Sequence, residues 1–275
     1  MKKNLVIDPN FDSYQSFFDH AWAQSIDKVA DGTPLAVIVF DLCAAWKAAA
    51  NTHRLPWLTM QLFKSFARGF VQTREPITKM CIEAVAQRLP AEMERLSNMQ
   101  RKDMRKVLQR IYEDVCNRPD TAIGEFVIGN MWQAILPDFE FTASLWASQR
   151  LCYGAIYYAY EDFLVRTYRA VVGQPDYRMF SAKQFGDDFA RAFTNELRGF
   201  CFAGDVNVAR LVRNALAHNG GRETEELRRE KHPYRVEDGE IHVLPSNTKG
   251  LFDMLKERAT RLVTEAATRL QSPGS

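Results

Sequence analysis

Apolar residues along this chain recur every three or four positions, which is the spacing of an amphipathic helix rather than of a β-strand. In Ser13–Val29, for example, Phe17, Phe18, Ala21 and Trp22 fall on one side of a helix. The pattern continues, with prolines at or near the predicted helix starts, through Thr33–Asn51, Trp57–Gln72, Ile77–Arg88, Asn98–Cys116 and Thr121–Ile135. The first half of the chain is therefore predicted to be a succession of helices.

The second half carries the same period with clearer start and stop signals. A long, aromatic-rich helix is predicted over Thr142–Val172, and Ser181 is a suitable N-cap for a helix that reaches about Phe200. Asp205 is expected to cap a shorter helix that ends at Asn219-Gly220-Gly221. Two short alternating runs flank Asp238-Gly239 and predict a β-hairpin, which is followed by a last amphipathic helix over Thr248–Leu270.

The segment Leu136-Pro137-Asp138 interrupts the helical pattern and is the expected domain boundary. The predicted fold class is all-α, with an N-terminal helical domain over residues 1–140 and a second domain over residues 141–271. Four helices and the small hairpin make the second domain a helical bundle. The sequence does not indicate a role for residues 1–140.

Composition and charge place the chain among ordinary globular proteins. It has 275 residues, 46% of them hydrophobic, and a formal net charge of +2, which neither indicates nor excludes a nucleic-acid partner. Its five cysteines are odd in number, widely spaced and without a CxxC pair, which argues against a disulfide framework or a zinc site. This cysteine usage fits a reducing cytoplasm. The most apolar run, Leu35–Trp46, is interrupted by Asp41 and is shorter than the roughly 20 residues of a membrane span. We therefore expect a soluble, cytoplasmic protein without a membrane partner.

The helix over Asp205–Asn219 gathers polar residues on one face. At about 100° per residue, its core stripe contains Val208, Leu211, Val212, Ala215 and Leu216, and the opposite face contains Arg210, Arg213, Asn214, Ala217 and His218. Arg213 and His218 are about 140° apart and flank this face, whereas Asn214 and His218, four residues apart, stack. The small Ala217 leaves room between the flanks for a phosphate or for a second copy of the helix.

These residue types suit the cleavage of an RNA phosphodiester, because RNA supplies its own nucleophile, the 2′-hydroxyl. His218 can act as general acid or base near neutral pH, and the Arg213 guanidinium can neutralise the charge of the transition state. The Asn214 amide can orient the imidazole or donate to a phosphate oxygen. This chemistry requires no metal or cofactor, and none is predicted.

Arg213-Asn214, followed by His218 and Asn219-Gly220-Gly221, resembles the R-x(4–6)-H motif of the HEPN superfamily, and the resemblance extends over about residues 142–270. It implies an HEPN-like four-helix bundle and a metal-independent endoribonuclease, often a toxin or an antiviral defence effector. It also implies a homodimer in which two motifs form a composite site, with Arg213 and His218 catalytic and Asn214 supporting. A regulatory or antitoxin partner and an acidic residue in the first bundle helix, for which Glu161 and Asp162 are the candidates, would fit the same resemblance.

Other interpretations of these residues remain open. Some HEPN proteins are non-catalytic modules that bind a nucleotide, RNA or a protein, and an Arg–His pair at this spacing also arises by chance. Asp162 has Arg166 four residues later, which favours a plain ion pair. The regularly spaced Tyr153, Tyr157 and Tyr160 are expected in the core or a dimer contact.

Two further features of the sequence suggest ligands only weakly. The basic residues between Arg101 and Arg110, and those between Arg222 and Lys231, are typical of solvated helix faces, although either run could attract a phosphate. His232 and His242 flank the hairpin without the cysteine or acid spacing of a metal site.

Overall fold

The computed structural model describes residues 5–62, 132–179 and 181–271, together with positions 65, 102, 103, 106, 107, 109, 110 and 113. The chain divides into two compact units, Met1–Pro56 with Phe139–Ser275, and Trp57–Asp138. In the second unit, residues 57–62 and 132–135 lie at the borders and are helical. The predicted helices Trp57–Gln72 and Asn98–Cys116, the second of which includes the basic run from Arg101, are described only in part, and their described positions are helical. The predicted helices Ile77–Arg88 and Thr121–Ile135 lie wholly or largely outside the described residues.

The first unit is a helical bundle with one hairpin, and within the described residues the predicted all-α class is confirmed. Its helices are α1 (His20–Ala30), α2 (Leu35–His53), α3 (Phe139–Val172), α4 (Ala182–Ala192), α5 (Asn195–Phe202), α6 (Asp205–His218), α7 (Glu225–Arg229) and α8 (Pro245–Gln271). The strands β1 (Arg235–Glu237) and β2 (Glu240–His242) are antiparallel, with Val236 opposite Ile241. The long helix α3 packs against α2, α6 and α8 and so lies at the centre of the bundle.

Helix starts are fixed by side chains that accept a hydrogen bond from the first turn. The cap bonds are Asp19 to the Trp22 N–H (2.9 Å), Ser181 to the Gln184 N–H (3.1 Å) and Thr194 to the Leu197 N–H (3.0 Å). The predicted Ser181 cap is thus confirmed, whereas α1 begins at His20, after its Asp19 cap, rather than at Ser13.

Two other predicted boundaries were wrong. The helix after Ser181 ends at Ala192, because Phe193 leaves the helical conformation (φ −114°, ψ −110°) and Thr194 starts α5. The N-cap of α6 is Gly204, at φ 58°, rather than Asp205. Asp205 is instead in the first turn, where its negative charge interacts favourably with the positive end of the helix dipole.

The hairpin forms where the sequence predicts it. Asp238 and Gly239 have φ of 51° and 75°, and both central residues of a type I′ turn require positive φ. Residues that follow α6 bond to this hairpin: the Ile241 N–H donates to the Gly221 carbonyl at 2.8 Å, and the Glu223 N–H donates to the Gly239 carbonyl at 2.9 Å. The hairpin thereby holds the end of α6 in place.

The expected domain at 1–140 differs from the observed division, since Met1–Pro56 belongs with the C-terminal helices. The Trp46 indole donates to the Ile156 carbonyl of α3 at 3.0 Å, and the Trp22 indole donates to Thr260 of α8 at 2.8 Å. The two indole rings stack 5.5 Å apart. Helices α1 and α2 thus complete the core of the bundle, and only the break near Pro137 agrees with the expected boundary.

Helix α2 is the one helix among the described residues that is long and apolar enough to be a candidate membrane span. Several of its apolar residues, including Leu35, Val39 and Trp46, are buried in the bundle. A core helix of a soluble protein meets the same criteria of length and composition, so that the cytoplasmic location stays a prediction.

Candidate functional site

Helix α6 presents the face that the sequence predicts. Val208, Leu211, Val212 and Ala215 are buried in the core, whereas Ala217 and His218 are exposed. Arg213 and Asn214 are intermediate between these two groups. The candidate residues therefore lie at the edge of the bundle, on the last two turns of the helix.

Arg213 is held by two side chains. Its Nη2 forms an ion pair with Glu161 of α3, and its Nη1 donates to the Asn214 side-chain oxygen at 2.8 Å. The guanidinium carbon also lies 5.6 Å from the centre of the Tyr157 ring, within the range of a cation–π contact. Burial raises the pKa of Tyr157 to about 12, although Arg210 and Arg213 oppose this shift. Tyr157 therefore stays neutral beneath the guanidinium.

Glu161 is one of the two acidic candidates from the sequence, and the structure separates their roles. Glu161 pairs with Arg213, whereas Asp162 pairs with Arg166 at 3.5 Å, as its spacing predicts. Arg166 also bonds to Asp41 of α2 at 2.8 Å. Glu161 thus belongs to the candidate site, and Asp162 belongs to the packing of α2 on α3.

Asn214 contacts the arginine of the motif. The sequence suggested that its amide orients the His218 imidazole, but its carbonyl oxygen accepts from Arg213. The planar guanidinium is thereby fixed from two directions, by Glu161 and by Asn214. A guanidinium held in this way has a defined position toward a ligand and loses little rotamer entropy on binding.

His218 is the last residue of α6 and is exposed. Among the described residues, no hydrogen bond or ion pair reaches its imidazole. The helix ends behind it because Gly220 and Gly221 adopt φ of 61° and 85°, the left-handed region that glycine tolerates best. The imidazole is thus available to a ligand.

Arg150 of α3 is a residue of this site that the sequence reasoning missed. Its guanidinium lies 4.1 Å from the centre of the Trp146 ring and 3.3 Å from the Glu240 carboxylate of β2. Burial lowers the pKa of Arg150, whereas Glu240 opposes that shift. An arginine four residues after a tryptophan in an apolar helix was the available signal, but its ion-pair partner Glu240 is remote in sequence.

The residues of α3 and α6 enclose one groove with a volume of about 660 Å³. Helix α3 contributes Trp146, Arg150, Leu151 and Tyr158, and α6 contributes Arg213, Ala217 and His218. The two flanks of the motif, five residues apart, thus reach the same groove. Most of the groove wall is apolar, and its described lining includes the side chains of Arg150, Arg213 and His218.

The other residues that the sequence singled out are buried in the core or form ion pairs outside the groove. Burial puts Tyr153, Tyr157 and Tyr160 in the core, as expected. In the basic stretch after the motif, Arg228 pairs with Glu223 at 3.0 Å and Arg229 with Glu225 at 2.9 Å. Glu223 also bonds to His232 at 3.1 Å, and these two partners help to keep the pKa of the Glu223 carboxyl below its ordinary value.

His242, the other histidine beside the hairpin, is buried. Within the described ranges, no group of three or more histidine, cysteine, aspartate or glutamate side chains has the arrangement of a metal site.

Comparisons of the chain with protein-family models, curated proteins and solved structures find no match.

Proposed function

We propose that this protein is a metal-independent endoribonuclease with Arg213, Asn214 and His218 as its site residues. The observation that carries the proposal is the convergence of two different groups on one groove. Arg213 is fixed there by Glu161 and Asn214, and His218 has an imidazole without a partner among the described residues. A fixed cation beside a free imidazole is an arrangement suited to phosphoryl transfer.

In the proposed reaction, the 2′-hydroxyl oxygen of RNA forms a bond to the adjacent phosphorus while the bond from phosphorus to the 5′-oxygen breaks. An imidazole removes the 2′-hydroxyl proton, and a proton is delivered to the leaving 5′-oxygen. The products are a 2′,3′-cyclic phosphate and a 5′-hydroxyl. Arg213 donates to a non-bridging phosphate oxygen, because Glu161 and Asn214 each engage a different terminal nitrogen and leave N–H groups free.

A second copy of the chain would complete the site. The reaction needs a base and an acid, and the described lining of the groove contains one imidazole. Ala217, small and exposed, leaves the end of α6 open beside His218. A homodimer that brings two α6 ends to one phosphate would supply both proton-transfer groups. Cationic motifs can approach one another there because the phosphate lies between them.

The resemblance to HEPN proteins supports a role for this activity in a toxin or an antiviral defence system, with an antitoxin or regulatory partner. A nuclease that acts on cellular RNA requires such restraint. Expression of the wild-type chain would then arrest growth, and the Arg213 and His218 variants would not.

The test is incubation of the purified full chain with total RNA in EDTA. Wild-type protein should cleave, whereas His218→Ala should reduce the rate by roughly 100-fold to 10,000-fold, the usual contribution of a general acid or base. His20→Ala is the matched control, because His20 is an exposed histidine on α1. Equal cleavage by wild type and His218→Ala would contradict the proposal.

A non-catalytic binding module is the second candidate function. It is favoured by the apolar groove wall and by the pairing of both Arg150 and Arg213 with carboxylates, which reduces the net charge offered to a phosphate. Such a module would bind RNA, a nucleotide or a protein through this groove without cleaving RNA. Binding of RNA by wild-type protein with no cleavage in EDTA or in Mg²⁺ would favour it.

A further inference from the structure

The wall of the groove that α3 provides has an unusual exposure. Tyr158 is 67% exposed and Leu151 is 72% exposed, although both belong to the central helix of the bundle. Among the described residues, no other aromatic ring contacts Tyr158. The groove therefore has a free aromatic face within the same cavity as Arg213 and His218.

We propose that this wall is a nucleobase subsite, which binds one unstacked base of single-stranded RNA beside the phosphate held at Arg213. The base lies against the Tyr158 ring, and Leu151 contacts its edge. The inference rests on the proposed function in taking RNA as the source of the nucleotide. It adds to that function a requirement for an unpaired base, since a base within a duplex cannot enter the groove.

Size and chemistry both fit a nucleotide. The groove volume of about 660 Å³ lies within the roughly 300–1,000 Å³ typical of small-molecule sites. Flat bases stack on aromatic side chains, and this contact tolerates every base because each has a π-face. A phosphate attached to the same nucleotide would reach Arg213, which contacts Tyr157 and Glu161 beside Tyr158 on α3.

Charge favours a nucleotide over a second copy of α3 as the occupant. The described lining includes two arginines and one histidine but no carboxylate. Glu240 and Glu161 pair with the two arginines from outside the lining, so a second copy of this wall would offer the remaining N–H donors no acceptor, whereas a phosphate would. An anion with a flat apolar body complements both the Arg213 guanidinium and the exposed Tyr158 ring of the lining.

The part of the α3 wall that precedes Leu151 is preformed. The Arg150 guanidinium covers the Trp146 ring at 4.1 Å and is held by Glu240 at 3.3 Å. Because one face of Trp146 is already occupied, the free ring for stacking is Tyr158. Trp146 and Arg150 form a fixed wall, which limits the depth to which a base enters.

The experiment is calorimetric titration of the full-length protein in EDTA with three probes: adenosine 3′-monophosphate, adenosine and inorganic phosphate. The nucleotide should bind at least roughly tenfold more tightly than either part, because it engages both the Tyr158 ring and the Arg213 guanidinium. A nucleotide that binds no more tightly than inorganic phosphate would overturn the subsite.

Substitutions at Tyr158 assign the base contact. Tyr158→Ala should weaken nucleotide binding by roughly tenfold or more, the usual effect of losing one stacking side chain, and should leave phosphate binding unchanged. Tyr158→Phe should keep nucleotide binding within about twofold, since it keeps the ring. Phe40→Ala is the matched control, because Phe40 is 66% exposed on α2 and does not line the groove. Unchanged nucleotide affinity in Tyr158→Ala would overturn the proposal. If the same variant also lost a dimer in sedimentation, the wall would be assigned to a second copy of the chain instead.

A single-stranded RNA tetranucleotide with 2′-O-methyl groups tests whether the bound nucleotide belongs to an RNA strand or is a free nucleotide. It cannot be cleaved, because its 2′-oxygens are methylated. It should bind more tightly than the mononucleotide and should depend on Tyr158 in the same way. Equal affinity for the two would assign the site to a free nucleotide and overturn the RNA source. Binding is measured without turnover, so a protein that binds the tetranucleotide through Tyr158 but cleaves no RNA would refute the proposed function and leave the subsite standing.

Discussion

At the scale of single residues, the two glycines after the motif have different roles. Both have positive φ, at 61° for Gly220 and 85° for Gly221. A Cβ on Gly220 would meet open space, whereas a Cβ on Gly221 would collide with the Arg150 guanidinium. Gly220 therefore supplies a backbone conformation, and Gly221 also supplies the space in which Arg150 reaches Glu240 and Trp146.

We expect Gly220→Ala to lower the free energy of unfolding by roughly 1 kcal/mol, the cost of the left-handed conformation for an L-residue. Gly221→Ala should lower it by roughly 3 kcal/mol or more, because it also displaces Arg150 from its partners. Urea unfolding of the two variants measures the difference. Equal destabilisation would show that Arg150 moves aside freely.

Glu161 acts on the reaction through Arg213 and is thus a positioning residue. If Glu161 fixes the guanidinium, Glu161→Gln should lower kcat of RNA cleavage by roughly 10-fold to 100-fold with little change in KM, because small displacements of a positioned group have effects of that size. Asp162→Asn is the control, since the adjacent Asp162 pairs with Arg166 instead. A rise in KM at constant kcat would indicate that Glu161 affects only binding.

At the scale of elements, the packing of α2 on α3 holds the helix that carries Glu161, Arg150 and Tyr158. Trp46 is fully buried at this contact and donates to the Ile156 carbonyl, whereas Phe40 of the same helix is 66% exposed. Substitutions of these two aromatic residues therefore distinguish the contribution that α2 makes by packing in the core from any effect of changing an exposed residue on the same helix.

Trp46→Ala should lower the free energy of unfolding by roughly 3–5 kcal/mol, as for other large core residues, and Phe40→Ala by less than about 0.5 kcal/mol. Chemical unfolding followed by far-UV circular dichroism measures both. A small effect of Trp46→Ala would contradict the placement of α2 in the core.

The elements also show what the sequence could and could not predict. The helical character of the described residues, the Ser181 cap and the Asp238-Gly239 turn depend on neighbouring residues, and these predictions were confirmed. The break at Phe193 was missed because Thr194 offers a second cap inside a continuous apolar pattern. The polar face of α6 was predictable from periodicity, but the Glu161–Arg213 and Arg150–Glu240 pairs join residues 52 and 90 positions apart, for which the pattern has no signal.

At the scale of the whole molecule, buried neutral histidines link stability to pH. Burial lowers the pKa of His53 and of His242 from the ordinary value of 6.5. Glu237 and Glu240 oppose the shift of His242, whereas Arg235 and Arg150 reinforce it. The unfolded chain therefore binds more protons than the folded chain just below pH 6.5, so stability is lost as the pH falls through that value.

We expect the melting temperature to decrease between pH 7 and pH 5, and His242→Gln to reduce that slope. Differential scanning calorimetry in buffers of matched ionic strength measures it. His20→Ala, at an exposed position, should leave the slope unchanged. A melting temperature that is constant over this interval would show that neither buried histidine is kept neutral by the fold.

The most direct test of the central claim identifies the ends of the RNA fragments made in EDTA. Mass spectrometry of a single-stranded RNA treated with wild-type protein should find 2′,3′-cyclic phosphates, or the 3′-phosphates formed from them, opposite 5′-hydroxyl ends. His218→Ala should give at least roughly 100-fold less of these products in the same time. Fragments with 3′-hydroxyl and 5′-phosphate ends, or an equal yield of products from His218→Ala, would contradict a site in which His218 and Arg213 act on the 2′-hydroxyl and its phosphate.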